Sequence, residues 1–457
     1  MNSMDKHIMT YRWKGGILEH YLGKTEKVEV ISKELIKPSS PTPLQLRSFK
    51  LSLLDQFAPP VYIPILFCYT GKDGDNLLQS YQVPQKLKAS LSKTLAIFYP
   101  LAGRIKDDDT IDCNDEGDEI LDARVKIQLF EFLKKPNVEV LDQLVPGDIL
   151  CTRSGAEDVP LAIQVNSFEC GGVVIGVRLS HKIVDGVAMV EFINKWAATA
   201  RGTNEEAMDV TLVSASLFSP RFSVLGYMLP ISETVVMRQL VLDAYAIAAV
   251  RARATGHPTL RPHPPTRVEV VSALIWRCFM KAKNEKGPAT VSVSTHAVNL
   301  RGRTVPPVQH SCFGNLWALA VTKGVAISES YGDMQGCLEN ELRESIRAID
   351  SDFIEELKGP DEAIKAHEGM KNKAENYLDR DIHVCTFSSW CRFPFYEVDF
   401  GWGKPTRVSC CTIPINNLAI FIDRRCDDGM EAWVNMEADD MARFEQDQEL
   451  LSFVSIP

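Results

Sequence analysis

The pattern of apolar and polar positions predicts β-strands throughout the N-terminal part of the chain. Residues 61–69 (VYIPILFCY) are rich in β-branched and aromatic side chains, which favours a buried strand. Residues 28–43 form a strand pattern that ends in a turn rich in Pro and Ser. Apolar and polar positions alternate on both sides of Gly171 and Gly172 within residues 161–181, and this predicts a β-hairpin.

Apolar residues at helical spacing predict three amphipathic helices. Four residues with this spacing mark the first: Leu87, Leu91, Leu95 and Phe98. Pro100 ends it, because proline cannot donate the next main-chain hydrogen bond. Residues 187–201 form the second helix and residues 268–282 the third. Thr266 and Glu269 have the spacing of a capping box, which predicts that the third helix begins there.

Strands and helices alternate in both halves of the chain, which predicts a mixed α/β (α+β) fold. A chain of 457 residues exceeds the size at which a single core stops growing, so two domains are expected. Residues 1–26 lack a periodic pattern and form an N-terminal extension. We assign residues 27–201 to the first domain, 202–232 to a crossover and 233–457 to the second domain.

Composition and charge exclude several classes of protein. The apolar content of 45% and the charged content of 24% are ordinary for a globular protein. The net charge of −10 argues against nucleic acid as a partner, although a local group of cations could still bind a small anion. Neither a long apolar run nor an apolar leader is visible, so we expect a cytoplasmic protein without a membrane partner.

The cysteines and the acidic residues predict no metal site. The 12 Cys are scattered and form no Cys-x-x-Cys, which is typical of reduced thiols in a cytosolic enzyme. Residues 107–119 are dense in acid but lack the spacing of a calcium loop. They predict a solvated loop or hairpin instead.

The most suggestive chemistry lies in residues 179–186 (LSHKIVDG). His181 is the one His followed four residues later by an Asp, Asp185. An imidazole at a strand end can accept a proton near neutral pH and so suits a general base. The chain has no Gly-x-Ser-x-Gly, so direct transfer is favoured over a Ser acyl-enzyme. The alternative is a structural His181 beside an Asp185 that only caps the next helix.

A second motif, DFGWG at residues 399–403, follows TFSSWCRFPFYEV at 386–398. Together with SHKIVDG (180–186), it resembles the plant BAHD acyltransferases, which carry His-x-x-x-Asp-Gly at mid-chain and Asp-Phe-Gly-Trp-Gly near the C-terminus. Shorter segments extend the resemblance across residues 28–450: KPSSPTP, FYPLAGR, IDCND, ECGG, HAVNLR and FGN. The resemblance implies a chloramphenicol-acetyltransferase-like fold, in which two similar lobes of mixed sheet and helices enclose a channel.

The same resemblance implies roles for particular residues. Acyl-CoA and the acceptor would enter from opposite sides of the channel and meet at His181, the general base. Asp185 would turn away from the substrate and pair with Arg301, or failing that with Arg303. Gly186 and Arg301 would support the catalytic loop.

Two further groups of residues follow from the resemblance. Ser388 and Trp390 would donate hydrogen bonds to the oxyanion that develops during transfer, and the alternative is a packed aromatic ring with a nearby hydroxyl. The second motif would shape the CoA-binding region without touching the reacting atoms. Its residues are Asp399, Phe400, Gly401, Trp402 and Gly403.

The resemblance therefore implies an O-acyltransferase of plant specialised metabolism. The branch it points to favours acetyl-CoA as donor and a bulky alkaloid or terpenoid alcohol as acceptor, and acyl-CoA would be a co-substrate rather than a bound cofactor. We expect a monomer. Hydroxycinnamoyl or N-acyl transfer, a condensation-type amide former and a non-catalytic ligand-binding relative are the alternatives, and DFGWG argues against the amide former.

Overall fold

The computed structural model describes most of the chain, and the extension at residues 1–26 lies outside the described part. The described residues are 27–70, 82–107, 109–134, 136–147, 159–203, 210–212, 214–221, 231–232, 234–255, 264–284, 291–327, 337–359, 382–425 and 427–457. The predicted crossover, residues 202–232, is therefore described only in part.

Strands and helices alternate along the described residues. The strands are β1 (Val28–Ile36), β2 (Ser48–Lys50), β3 (Tyr62–Tyr69), β4 (Arg104–Ile105), β5 (Thr110–Asp112), β6 (Asp118–Val125), β7 (Leu161–Phe168), β8 (Val173–Ser180), β9 (Val235–Leu242), β10 (Val291–Asn299), β11 (Trp317–Val321), β12 (Val325–Ala326), β13 (Ile382–Ser389), β14 (Arg407–Ser409), β15 (Leu418–Asp423) and β16 (Met430–Glu437). The helices are α1 (Leu53–Phe57), α2 (Gln82–Ile97), α3 (Leu129–Lys134), α4 (Val138–Leu141), α5 (Gly186–Arg201), α6 (Ser214–Leu217), α7 (Ala244–Thr255), α8 (Arg267–Asn284), α9 (Cys337–Arg347), α10 (Ser351–Lys358), α11 (Ala438–Phe444) and α12 (Gln448–Leu451). The mixed α/β prediction is confirmed.

The first lobe is built on a six-stranded sheet with the order β1-β6-β7-β8-β3-β14. The predicted hairpin forms β7 and β8, and the predicted buried strand forms β3, in which every residue is buried. Helices α2 and α5 pack together in this lobe. Trp196 of α5 is fully buried and donates from Nε1 to the Leu87 carbonyl at 3.2 Å, which fixes the two helices against each other.

The second lobe contains a seven-stranded sheet with the order β11-β10-β13-β15-β16-β9, and β12 pairs with β10. Helix α8 lies in the core behind this sheet, where Trp276 is fully buried. The predicted capping box at the start of α8 is confirmed, because the Glu269 main-chain N–H donates to Thr266 Oγ1 at 3.2 Å and Glu269 Oε2 accepts from the Thr266 N–H at 2.8 Å.

The two lobes share structure at their junction. Strand β14 comes from the C-terminal half of the chain but pairs antiparallel with β3 of the first sheet, with Ser409 opposite Leu66. In the other direction, Leu53 and Phe57 of α1 belong to the same apolar cluster as Val298 of β10. The division at residues 201 and 233 stays a prediction, because one strand from the C-terminal half completes the first sheet and α1 packs against the second lobe.

Two further predictions concern the acid-dense segment at residues 107–119 and the absence of a membrane-spanning helix. Strands β4 and β5 pair antiparallel, with Ile105 opposite Ile111, so part of the segment predicted to form a loop or hairpin is one strand of a hairpin. None of the described helices is both long and apolar enough to cross a membrane.

Candidate active site

A cavity of about 150 Å³ opens between the two lobes. His181 lines it from the first lobe, directly after the last residue of β8, and its main-chain N–H donates to the Val61 carbonyl at 2.9 Å. Apolar side chains form most of the wall, among them Ile63, Leu319, Phe393, Ile413 and Ile420. Apolar walls of this kind strengthen electrostatic interactions at the polar groups that they enclose.

The His181 ring is held by two residues of the second lobe. Nδ1 lies 3.1 Å from Asn315 Oδ1, and the centroid of the ring lies 5.5 Å from that of Trp317. Burial lowers the pKa of His181 below its ordinary value, which keeps the imidazole neutral at pH 7. A neutral imidazole is the form that can accept a proton.

Asn315 determines which nitrogen of His181 carries the proton. Its Nδ2 donates to Asp55 Oδ1 at 2.9 Å and to the His181 carbonyl at 2.8 Å, while its Oδ1 accepts from Trp317 Nε1 at 3.0 Å. Indole N–H can only donate, so this orientation of the amide is the one that satisfies all three neighbours. Oδ1 therefore accepts from Nδ1–H of His181, and the lone pair lies on Nε2.

Asp185 caps α5 and pairs with Arg301. Its Oδ1 accepts from the Ala188 N–H at 2.8 Å, which is the N-cap bond. Its two oxygens also accept from Arg301, Oδ2 from Nη1 at 2.6 Å and Oδ1 from Nη2 at 3.1 Å. The Leu316 N–H adds a fourth bond, to Oδ2 at 2.9 Å. The helix cap and the ion pair are therefore both present.

Arg301, rather than Arg303, reaches Asp185. Arg301 is fully buried, and its Nη2 also donates to the carbonyls of Cys312 and Gly314 at 2.9 and 3.1 Å. Arg303 instead donates to main-chain carbonyls at 346 and 349, at 2.7 and 2.6 Å, near the end of α9. Arg303, the alternative partner for Asp185, therefore binds other groups.

Gly186 leaves room for an aromatic side chain of the second lobe. A Cβ at this position would lie 2.8 Å from Cε2 of Phe393, closer than real Cβ atoms approach. The absence of a side chain lets the Phe393 ring pack against the start of α5, beside the cavity.

Ser388 and Trp390 line the same cavity as His181, from the end of β13. Trp390 is 6% exposed. No described residue accepts a hydrogen bond from the Ser388 hydroxyl or from Trp390 Nε1, so both donors are available to a substrate. The structure therefore brings the predicted pair into the same cavity as His181.

The DFGWG segment lies away from the cavity, against the first lobe. Phe400 is fully buried, with its ring centroid 4.7 Å from that of Trp196 on α5. Asp399 Oδ1 accepts from the N–H groups of Gly401 and Gly403 at 2.7 and 3.0 Å. Both glycines have φ near +100°, a conformation that residues with a Cβ rarely adopt. Trp402 stacks on Phe400 with centroids 5.5 Å apart, so the motif forms a compact loop that joins the lobes.

One group of potential metal ligands occurs in the described residues, at Cys278, Asp447 and Glu449. The carboxylates are already bound by cations: Lys281 Nζ lies 3.1 Å from Asp447 Oδ2 and 2.8 Å from Glu449 Oε2, and Arg277 Nη2 lies 2.7 Å from Glu449 Oε1. Burial also raises the pKa of the Cys278 thiol, which opposes metal binding. This group is an ion-pair cluster.

The fold and the site together define an acyltransferase of two lobes with a central histidine, and comparison with known proteins supports this class. Residues 26–451 match the model of the Transferase family. Vinorine synthase from Rauvolfia serpentina is 38% identical over 436 residues, which cover 94% of this chain and 98% of that protein. Stemmadenine O-acetyltransferase from Catharanthus roseus is 36% identical and salutaridinol 7-O-acetyltransferase from Papaver somniferum 35%; each match covers 92% of this chain, with 97% and 96% of the relatives.

Solved structures of other proteins have a similar fold. The crystal structure of vinorine synthase superposes with a TM-score of 0.78 at 37% identity, over 94% of this chain and 98% of that one. The structure of F. sporotrichioides TRI101 with coenzyme A and T-2 has a TM-score of 0.72 at 19% identity, over 90% of this chain and 99% of that one, and shows the shared fold. The chain belongs to the Transferase family of BAHD acyltransferases, as its two motifs predicted.

Sequence reasoning missed Asn315 and the residues around it. Asn315 lies in the segment FGN, which contributed to the family resemblance but suggested no role. Asp55 shows only the pattern of a helix cap in the sequence, and its contact with Asn315 spans 260 positions. No local pattern could have revealed that contact.

Proposed function

We propose that this protein transfers an acyl group, most favourably acetyl, from acyl-CoA to a hydroxyl group of a plant specialised metabolite such as an alkaloid or terpenoid. The observation that carries the proposal is that His181 lines an apolar cavity between the lobes while its Nδ1 faces Asn315 Oδ1, which leaves Nε2 as the nitrogen that would accept a proton. The names of the relatives supply the acetyl group and the alcohol class.

In the proposed reaction, His181 Nε2 takes the proton from the acceptor hydroxyl as its oxygen attacks the thioester carbonyl. The new C–O bond forms and the carbonyl becomes an oxyanion, to which Ser388 and Trp390 donate. The C–S bond then breaks, and the departing CoA sulfur receives the proton from the imidazolium. A thiolate is a fair leaving group, so neither a metal nor an acyl-enzyme is needed.

Two other groups of residues would act indirectly. Asp185 has every lone-pair direction engaged by Arg301 and main-chain N–H groups, so it would hold the loop that carries His181 rather than relay a proton. The DFGWG loop, which packs on the first lobe, would shape the CoA-binding region without touching the reacting atoms.

The walls of the cavity favour an uncharged acyl group. Among the described residues that line it, none is Lys or Arg, so a free carboxylate on the acyl chain would lack a counter-charge. This supports acetyl-CoA over a dicarboxylic acyl-CoA. The same apolar lining also fits a neutral, polycyclic alcohol as acceptor.

The thiols fit a reducing compartment, and we place the enzyme in the cytoplasm. Ten cysteines lie in the described residues and all are free. Burial raises the pKa of the Cys68 thiol to about 12, so this side chain serves as a packed apolar group.

The test is turnover with acetyl-CoA, followed as released thiol, across a panel of acceptors: salutaridinol, stemmadenine, menthol, p-menthane-3,8-diol and the amine analogue of menthol. Acetyl ester formation that depends on His181 supports the proposal. Malonyl-CoA serves as the comparison donor. Transfer to the amine alone, preference for malonyl-CoA, or no transfer to any acceptor would contradict it.

A further inference from the structure

One wall of the cavity is a strand pair whose side chains face the base. In the pairing of β10 with β11, Asn299 lies opposite Trp317 and Ala297 lies opposite Leu319. All four side chains line the cavity. Directly opposed residues have Cβ atoms about 5 Å apart, so Asn299 adjoins the indole that rests against the His181 ring.

The amide of Asn299 has a fixed orientation. Its Oδ1 accepts from the Arg301 main-chain N–H at 3.1 Å and faces Arg301 Nη1 at 3.4 Å. Nδ2 therefore points away from Arg301, toward the open side of the wall. No described residue accepts a hydrogen bond from Nδ2, and Asn299 is exposed and lines the cavity, so this donor is accessible to a ligand.

Several other polar groups on the walls already have hydrogen-bond partners among the described residues. Trp317 Nε1 donates to Asn315, the Tyr62 hydroxyl donates to a main-chain carbonyl at 3.0 Å, and the Thr386 hydroxyl accepts from Thr295 at 3.0 Å. Ser388 and Trp390 face the place proposed for the oxyanion. Asn299 Nδ2 is a further donor on this wall, and an oxygen of the substrate can accept from it.

We propose that Asn299 determines acceptor specificity by donating a hydrogen bond from Nδ2 to a second oxygen of the acceptor, a few bonds away from the hydroxyl that reacts. The inference rests on the proposed function, because it assumes an alcohol held at His181 Nε2. The apolar skeleton of that alcohol would lie on Trp317 and Leu319. The acceptor class is thus a neutral ring system that carries at least two oxygens.

The test compares matched acceptors. The alcohol with the highest kcat/KM in the panel is compared with analogues in which each oxygen other than the reacting one is replaced by hydrogen, and the menthol and p-menthane-3,8-diol pair is included throughout. A single hydrogen bond contributes about 0.5–1.5 kcal/mol, so removing the recognised oxygen should lower kcat/KM about two- to thirteenfold in the wild-type enzyme.

The variants Asn299→Leu and Asn299→Val should abolish this difference in kcat/KM, since neither side chain can donate a hydrogen bond. Two replacements of different shape are used because one of them could fail to fold. Leu319→Met, a change on the same wall without a hydrogen bond, should keep it. The result that supports the inference is a ratio near one in the Asn299 variants alone.

Three results would overturn it. Asn299 variants that slow both members of a pair equally would mean that Asn299 acts on the thioester or only through Arg301. A best acceptor with a single oxygen would show that no second oxygen is recognised. An unchanged ratio in folded variants would remove Asn299 from recognition. Failure of the proposed function looks different, because the wild-type enzyme would then acylate no alcohol at all.

Discussion

Asp185 and Arg301 join the two lobes through a bidentate ion pair, with Oδ2 to Nη1 at 2.6 Å and Oδ1 to Nη2 at 3.1 Å. Asp185 is 5% exposed and Arg301 is fully buried. The residues are 116 positions apart in the chain, so this contact fixes the loop after β8 against the turn after β10. His181, the proposed general base, lies on that loop, and its position therefore depends on the second lobe.

The pair predicts a non-additive mutational effect. Asp185→Asn and Arg301→Leu should each strongly reduce kcat and destabilise the fold, because breaking a buried pair from one side costs about 3–5 kcal/mol. The double variant should lose much less than the sum of the two. Denaturant unfolding and acetyl transfer measured on all four proteins give the coupling, and additive losses would show that the two residues act independently.

Replacing His181 with Ala should lower acetyl transfer about 10²- to 10⁴-fold, because the proton acceptor is removed. The thermal unfolding midpoint should change little, since the ring lies at the cavity rather than in the core. His310→Ala is the matched control: this exposed histidine is not among the residues that line the cavity, and its removal should leave the rate unchanged. Near-normal turnover in folded His181→Ala would exclude the base.

Asn315→Leu should reduce kcat about 100-fold with a smaller change in KM, because the imidazole loses the acceptor that fixes its tautomer and direction. Trp317→Phe keeps a ring against His181 but removes one bond to Asn315 Oδ1, and the loss should be about three- to tenfold. Steady-state kinetics on both variants test the order of these effects. Equal losses would indicate that the ring contact, rather than the amide, orients His181.

The pH dependence of kcat/KM should show an acidic limb that lies below about pH 6.5, the ordinary value for histidine. Burial lowers the pKa of His181, so the base stays neutral further into the acidic range and is lost only as pH falls through that lowered value. Asn315→Asp should move the limb upward, because a carboxylate at Nδ1 stabilises the imidazolium. A wild-type limb above pH 7 would contradict the burial of the base.

Direct transfer requires both substrates on the enzyme together. Initial rates should give intersecting lines in a two-substrate analysis, and activity should survive EDTA. Mass spectrometry after incubation with acetyl-CoA alone should show no acetyl adduct on the protein. Parallel lines or such an adduct would indicate an acyl-enzyme instead.

Much of the secondary structure could be predicted from local pattern. The strand at 61–69 and the helix that begins at Gly186 are visible because burial on one or both faces imposes a repeat on neighbouring residues. The helix predicted within 268–282 is two residues longer at its C-terminal end in the structure, since helix ends depend on contacts that periodicity does not record. The exchange of β14 into the first sheet had no signal, because strand pairing joins residues far apart in the chain.

The sequence by itself determined the family, through two motifs that also predict the site residues. His181 and Asp185 are four positions apart, and DFGWG is five consecutive residues. Both motifs are local, so they can be recognised without knowledge of the fold. Only the tertiary structure decided that Arg301 rather than Arg303 meets Asp185, that Asn315 contacts the His181 ring, and that Asn299 carries a donor from which no described residue accepts. These are contacts across 116 and 134 positions, or orientations set by them, and they exist only once two separately built sheets close on each other.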